Sequence, residues 1–154
     1  TQVVKAIRTG DTSSGQLVRL HLWNGAIKMA KANPLTGVGH NNFRTEFPKH
    51  VDAVLDGNVK TFGTAHNLYL HHLAERGIIG LAAVFWLLAV LLLEAWRRSR
   101  DKPSAANLWA LGTVTAFLIQ NLTEVALQVE ILWMLVFFIW IAARTEYNID
   151  RKPS

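Results

Sequence analysis

The chain has 154 residues, enough for one domain, with 51% apolar residues, six tryptophans and a formal net charge of +5. The apolar residues crowd after residue 77 instead of spreading as a soluble core would. The basic excess therefore reads as an orientation signal and as contact with anionic lipid or phosphate, without a nucleic-acid partner. The absence of cysteine excludes disulfides and thiolate metal sites.

The chain opens at Thr1 with neither an initiator Met nor a signal-peptide pattern, and it reads as the C-terminal piece of a longer membrane protein. Asp11-Thr12-Ser13-Ser14-Gly15 offers several helix caps. From Gln16 to about Ala32 the apolar positions Leu17, Leu20, Trp23, Ile27 and Ala30 recur at threes and fours, a helical stripe that Asn33-Pro34 stops. Residues 35–43 form a turn punctuated by Gly37 and Gly39. Residues 44–63 have no clean period and read as a surface loop, with one short helix near Val51 to Leu55. Helix resumes around Thr64 and either ends at Arg76 or continues through Gly77.

Ile78 to Trp96 is nearly all apolar, and its 19 residues suffice to cross about 30 Å of hydrocarbon. A basic loop over 97–104 follows and faces the cytoplasm by the positive-inside rule, which puts residues 1–77 on the other side. A second span covers 105–122. A third covers 125–143 and leads to a cytoplasmic tail over 144–154. The expected fold class is all-α: a polytopic membrane-protein fragment with a helical exported loop and about three transmembrane helices.

His40, His50, His66, His71 and His72 all fall in the exported region, but without the spacing of a zinc motif, and no metal is expected. P-loop, dinucleotide and G-x-S-x-G patterns are absent, as is a close D-x-D pair, since Asp52 and Asp56 stand four apart. A transferase on this chain would handle phosphate with cationic side chains. Arg19 is the strongest candidate, because a guanidinium grips a diphosphate bidentately and offsets charge on a leaving group; a solvated helix arginine is the plain alternative. Arg44 and Arg76 offer the same chemistry more weakly, and Arg76 also suits a membrane-edge anchor. His66 is either a structural cap or a general base near neutral pH, with Asn67 orienting it or capping the helix. Glu124 and Glu130, near the exported ends of the second and third spans, compete with His66 as the base or lie at the interface.

His66-Asn67, nine residues, then Gly77-Ile78-Ile79-Gly80 resembles the H-[N/S/Q]-x9-G-x-x-G pattern of the O-antigen ligase and Wzy-type polymerase superfamily. Arg19-Leu20-His21-Leu22-Trp23, continuing through Met29 and Pro34 to the 37–43 turn, resembles that family's preceding stretch. The resemblance implies an inner-membrane glycosyltransferase of the GT-C type with a periplasmic active site. It would move a glycan from undecaprenyl diphosphate to an acceptor hydroxyl such as that of lipid A-core, without metal or cofactor. It implies Arg19 at the diphosphate and His66 in catalysis; Asn67, Arg44, Gly37, Gly39, Gly77 and Gly80 read as contributing to substrate binding. Family members carry more transmembrane helices and a further upstream arginine, so this piece alone is expected to be inactive. Polymerisation and transfer to protein share the motif with ligation. A non-catalytic binding or transport module is the reading from another class. An unbroken helix from His66 would put Gly77 and Gly80 on one stripe below it, as a helix contact or as a groove for the polyprenyl tail.

Overall fold

The computed structural model describes residues 15–51, 62–125, 134, 136–142 and 144. The order of elements is α1 (Gly15–Ala32), α2 (Phe43–Glu46), a 3-10 turn (Phe47–Lys49), α3 (Leu68–Asp101) and α4 (Ala105–Gln120). Residues 136–142 are helical as well, and no strand occurs among the described residues. The chain divides into two units, Thr1–Val84 and Phe85–Ser154, with the division falling inside α3.

In the first unit α1 ends where Asn33-Pro34 directs, and the expected caps at 11–14 lie outside the described residues. Its buried face is rotated from the expected stripe, however. Leu22, Ala26 and Met29 are buried, with Val18 and Trp23 packed beside them, while Ile27 is 40% exposed. Gly25 explains the shift: a side chain there would run into the Phe47 ring, so the small pair Gly25-Ala26 forms a flat seat that a phenylalanine fills. Phe47 stacks on Phe43 with ring centroids 5.5 Å apart, and Ala65 and Ala74 complete this core. A short helical turn occupies Phe43–Lys49, in a stretch expected as glycine turn and loop, whereas the helix expected near Val51 to Leu55 lies, Val51 apart, outside the described residues. Val51 is not helical, and residues 52–61 lie outside the described set.

The helix preceding the apolar run starts at Leu68, later than the expected Thr64, and Gly77 interrupts it with φ 63° and ψ −163°. That backbone region is open essentially to glycine alone. Four of the backbone groups freed at the break find partners in another segment. The amides of Ile78 and Ile79, which an unbroken helix would direct to Ala74 and Glu75, donate to the Pro34 and Leu35 carbonyls at 2.9 and 3.4 Å. The carbonyls of Ala74 and Glu75 accept from Val38 and Gly39, each at 2.9 Å. Segment 34–39 therefore plugs the break and takes up these four groups. The expected stripe from His66 through Gly77 to Gly80 does not exist: His66 precedes the helix and Gly77 breaks it, and the groove drawn along that stripe goes with it.

In the second unit α3 runs to Asp101, so Arg97, Arg98 and Arg100 occupy its last turns and not the loop expected over 97–104. Cationic side chains there complement the negative end of the helix dipole. Ser104 caps α4 by accepting from the Asn107 amide at 3.2 Å. Arg98 is buried, pairs with Glu94, and lies 4.7 Å over the Trp140 ring. Among the described residues α3 is the one helix long and apolar enough to cross a membrane. The 16 residues of α4 span only about 24 Å.

Candidate functional site

Of the residues singled out by sequence, His66, Asn67, Gly77 and Gly80 lie at the start of α3 and around its break, Gly37 and Gly39 lie in the turn that plugs the break, and Arg19 and Arg44 lie on α1 and α2. His66 has φ +46°, uncommon for a residue with a side chain, and its amide lies 3.5 Å from the Thr64 hydroxyl. A left-handed residue costs free energy, so a bulky side chain held there is aimed by its backbone and not by rotamer choice alone. Asn67, buried beside it, accepts from the Leu70 amide at 2.9 Å through its side chain, and its carbonyl takes the His71 amide. Asn67 is thus the N-cap of α3, which fixes where the helix begins relative to His66. Arg19 lies half-buried on the second turn of α1, and Arg44 is exposed on α2.

The glycines play backbone roles. Gly37, at φ +68°, has the Glu75–Arg76 backbone where a Cβ would stand, and Gly77 has the Leu35–Thr36 backbone there. The two are brought together as the two faces of one close approach. Gly39 continues the turn against Asn42, and Gly80 leaves room for the Arg76 side chain, whose Cβ, Cγ and Cδ occupy the space a larger residue would need.

Sequence reading missed the residue that organises this turn. Glu75 is 2% exposed, and its carboxylate accepts from the Phe43 amide at 2.9 Å and the Asn41 amide at 3.0 Å. Hydrogen bonds to an ionised group contribute about 1.5–3 kcal/mol each, more than neutral ones. One of them holds Asn41 at φ +59°. His71 is buried next to Glu75, Nε2 to Oε2 3.6 Å, too far for a hydrogen bond. Burial pushes the His71 ring below its ordinary value against the pull of Glu75. Glu75 stands 32 residues from Phe43, so no local pattern announces the pairing.

Arg76, read from sequence as a weaker phosphate candidate or a membrane-edge anchor, meets two histidines, of which no local pattern pairs His40 with it. Its guanidinium contacts Nδ1 of His72 and Nδ1 of His40, each at 2.5 Å. His72 is pushed down to about 4, by burial first and then by the Arg76 charge. His21, on α1, is buried edge-on to Phe47 and is lowered by burial and then by Lys28. Among the described residues no group of three His, Asp or Glu could hold a metal ion.

Two comparisons bear on this arrangement. The profile of a family described as O-antigen ligase matches residues 2–85, the stretch containing α1, the plugging turn, His66 and the break at Gly77. Comparison with curated proteins gave no match.

Proposed function

Because the chain belongs to the O-antigen ligase family, we propose that it forms part of a glycosyltransferase that ligates a glycan from undecaprenyl diphosphate to a hydroxyl of lipid A-core. Family membership and the long apolar helix support a membrane location and a ligase- or polymerase-type activity. The inner membrane, a periplasmic face for residues 1–77, the lipid-linked donor and independence from metal belong to the proposal.

The observation that carries the reading is the placement of His66. It stands in a strained turn, next to the cap of the helix that becomes the membrane run ten residues later. A lipid-linked donor presents its reacting carbon at that level, with its tail below and its sugar in water. In the transfer the acceptor oxygen bonds to the anomeric carbon, and the bond from that carbon to the diphosphate oxygen breaks. The electron pair leaves with the diphosphate, and the hydroxyl proton passes to a base. His66 takes the proton and Arg19 meets the charge on the departing diphosphate. Asn67 positions His66, Arg44 reaches the glycan from the exposed turn, and Gly37, Gly39, Gly77 and Gly80 serve binding indirectly, by letting the turn and the start of the apolar run pack closely on each other.

The test uses the full-length enzyme with lipid-linked glycan. His66→Ala and Arg19→Ala each abolish transfer, and unchanged transfer in either removes that residue from the chemistry. Offering lipid A-core, a second lipid-linked repeat unit and a protein acceptor in parallel separates ligation from polymerisation and protein modification. A binding or transport module would leave the donor intact throughout.

A further inference from the structure

Hydrogen-bond accounting around Arg76 leads beyond the residues assigned above. A guanidinium has five N–H donors and no acceptor, so in both of its histidine contacts the ring nitrogen must accept. A neutral ring that accepts at Nδ1 carries its proton on Nε2. Once His40, Arg76 and His72 have satisfied one another, what they have left to offer is donors only: two Nε2–H groups and the remaining guanidinium N–H groups. They also carry one positive charge that neither ring neutralises. The nearest carboxylate, Glu75, is occupied by the Asn41 and Phe43 amides, although its Oε2 lies 3.6 Å from His40 Nδ1. The cluster opens to solvent through His40, whose side chain is 72% exposed. Its arms come from different parts of the chain, the turn after α1 and the last turn before Gly77. The close contact that plugs the helix break therefore also builds it. The apolar run begins two residues after Arg76, and a guanidinium at the edge of such a run suits a lipid headgroup.

We propose that His40, Arg76 and His72 form a phosphate-binding site at the membrane surface, taking either the diphosphate of a polyprenyl carrier or the phosphodiester of an anionic phospholipid. Two parallel donors from a guanidinium match two oxygens of one phosphate, and the imidazole N–H groups reach a third oxygen or a second phosphate. Gly80, by leaving space for the Arg76 stem, keeps the guanidinium in reach of both rings. The carrier branch rests on the transferase reading, whereas the phospholipid branch does not.

The full-length protein in nanodiscs of zwitterionic phosphatidylcholine, labelled with 15N in histidine, provides a local probe. Inorganic pyrophosphate shifts the His40 and His72 Nε2–H signals saturably if the carrier branch holds. Arg76→Gln weakens that binding on the order of tenfold, as loss of one charge-assisted contact does. In nanodiscs that mix phosphatidylcholine with phosphatidylglycerol, the phospholipid branch instead gives retention of phosphatidylglycerol on the purified protein, lost in Arg76→Gln. If Arg76→Gln does not fold, His40→Gln decides, since an exposed ring can be replaced without disturbing the core; it weakens the same binding about threefold. Both ligands indifferent to both substitutions would overturn the proposal. Arg76-dependent pyrophosphate binding in a protein that transfers no glycan keeps this site and removes the transferase reading. Intact transfer beside Arg76-independent binding of both ligands removes this site alone.

Discussion

The two units of this chain differ in which side chains they leave exposed. In the first, phenylalanines, Leu22 and Met29 lie inside, together with a carboxylate and an asparagine that accept from backbone amides, and two histidines. In the second, Trp86, Trp109 and Phe138 are each more than 70% exposed, while Ala95, Ala110 and Val114 are covered. The first unit follows the rule for a protein in water, and the second follows the rule for one in lipid, where large apolar side chains face the solvent and small ones face other helices. The helix that belongs to both changes regime at Gly77, and the polar cluster sits on the watery side of that change.

Substitutions ranked by expected effect probe this contrast. Gly77→Ala should have the largest, because a Cβ would meet the Leu35–Thr36 backbone and φ +63° with ψ −163° admits no side chain. The cost is about 3 kcal/mol or more in thermal unfolding. Gly112→Ala, in the apolar unit with open space around it, should change stability little. Equal losses at the two positions would break the distinction between a plugged kink and an ordinary membrane helix.

Glu75→Ala comes next. It leaves the Asn41 and Phe43 amides without their acceptor, at about 2–4 kcal/mol for the pair. Glu75→Gln, which retains one acceptor oxygen, should cost less. Chemical denaturation followed by near-ultraviolet circular dichroism measures both, and identical values would mean that the charge and not the acceptor geometry holds the turn.

Acid should loosen the first unit before the second. The folded values of His72 and His71 lie below 6.5, so the unfolded chain binds protons first as pH falls. The stability these neutral rings contribute is complete above about 6.5 and drains away as pH drops toward 4, the folded value of His72. Arg76→Gln should raise the His72 midpoint, though not to 6.5, because burial is the larger cause. Histidine titration by nuclear magnetic resonance reads this directly, and an unmoved midpoint would separate Arg76 from His72. Among the damaging substitutions the smallest effect is expected for Ser104→Ala, which removes the cap of α4 at about 1 kcal/mol.

Much of the frame was legible in the sequence. Helix α1 ends at Asn33-Pro34, the glycine turn follows it, and the apolar run begins at Ile78, because stops, turns and hydropathy are local signals. The buried face of α1 was harder to read. Ile27 and Leu22 are both apolar, and which one turns inward depends on a phenylalanine more than twenty residues away that finds a seat on Gly25. Gly77 was ambiguous for the same reason: a glycine inside a helical pattern breaks it only if another segment takes up the freed hydrogen bonds, and here segment 34–39 does. Glu75 and Arg76 looked like the charged end of a membrane helix, and only the turn folding back onto them makes one an anchor and the other part of a cluster. His66 and Asn67 were visible through motif spacing, whereas the left-handed backbone at His66 leaves no trace in residue identity.

The most direct test of the central reading is glycan transfer by the full-length enzyme, followed as release of undecaprenyl diphosphate and appearance of glycan on lipid A-core, for wild type and His66→Ala at matched folded amounts. The account predicts both products in the wild type and neither in the variant. Donor recovered intact from the wild type, or both products formed at full rate by His66→Ala, would contradict it.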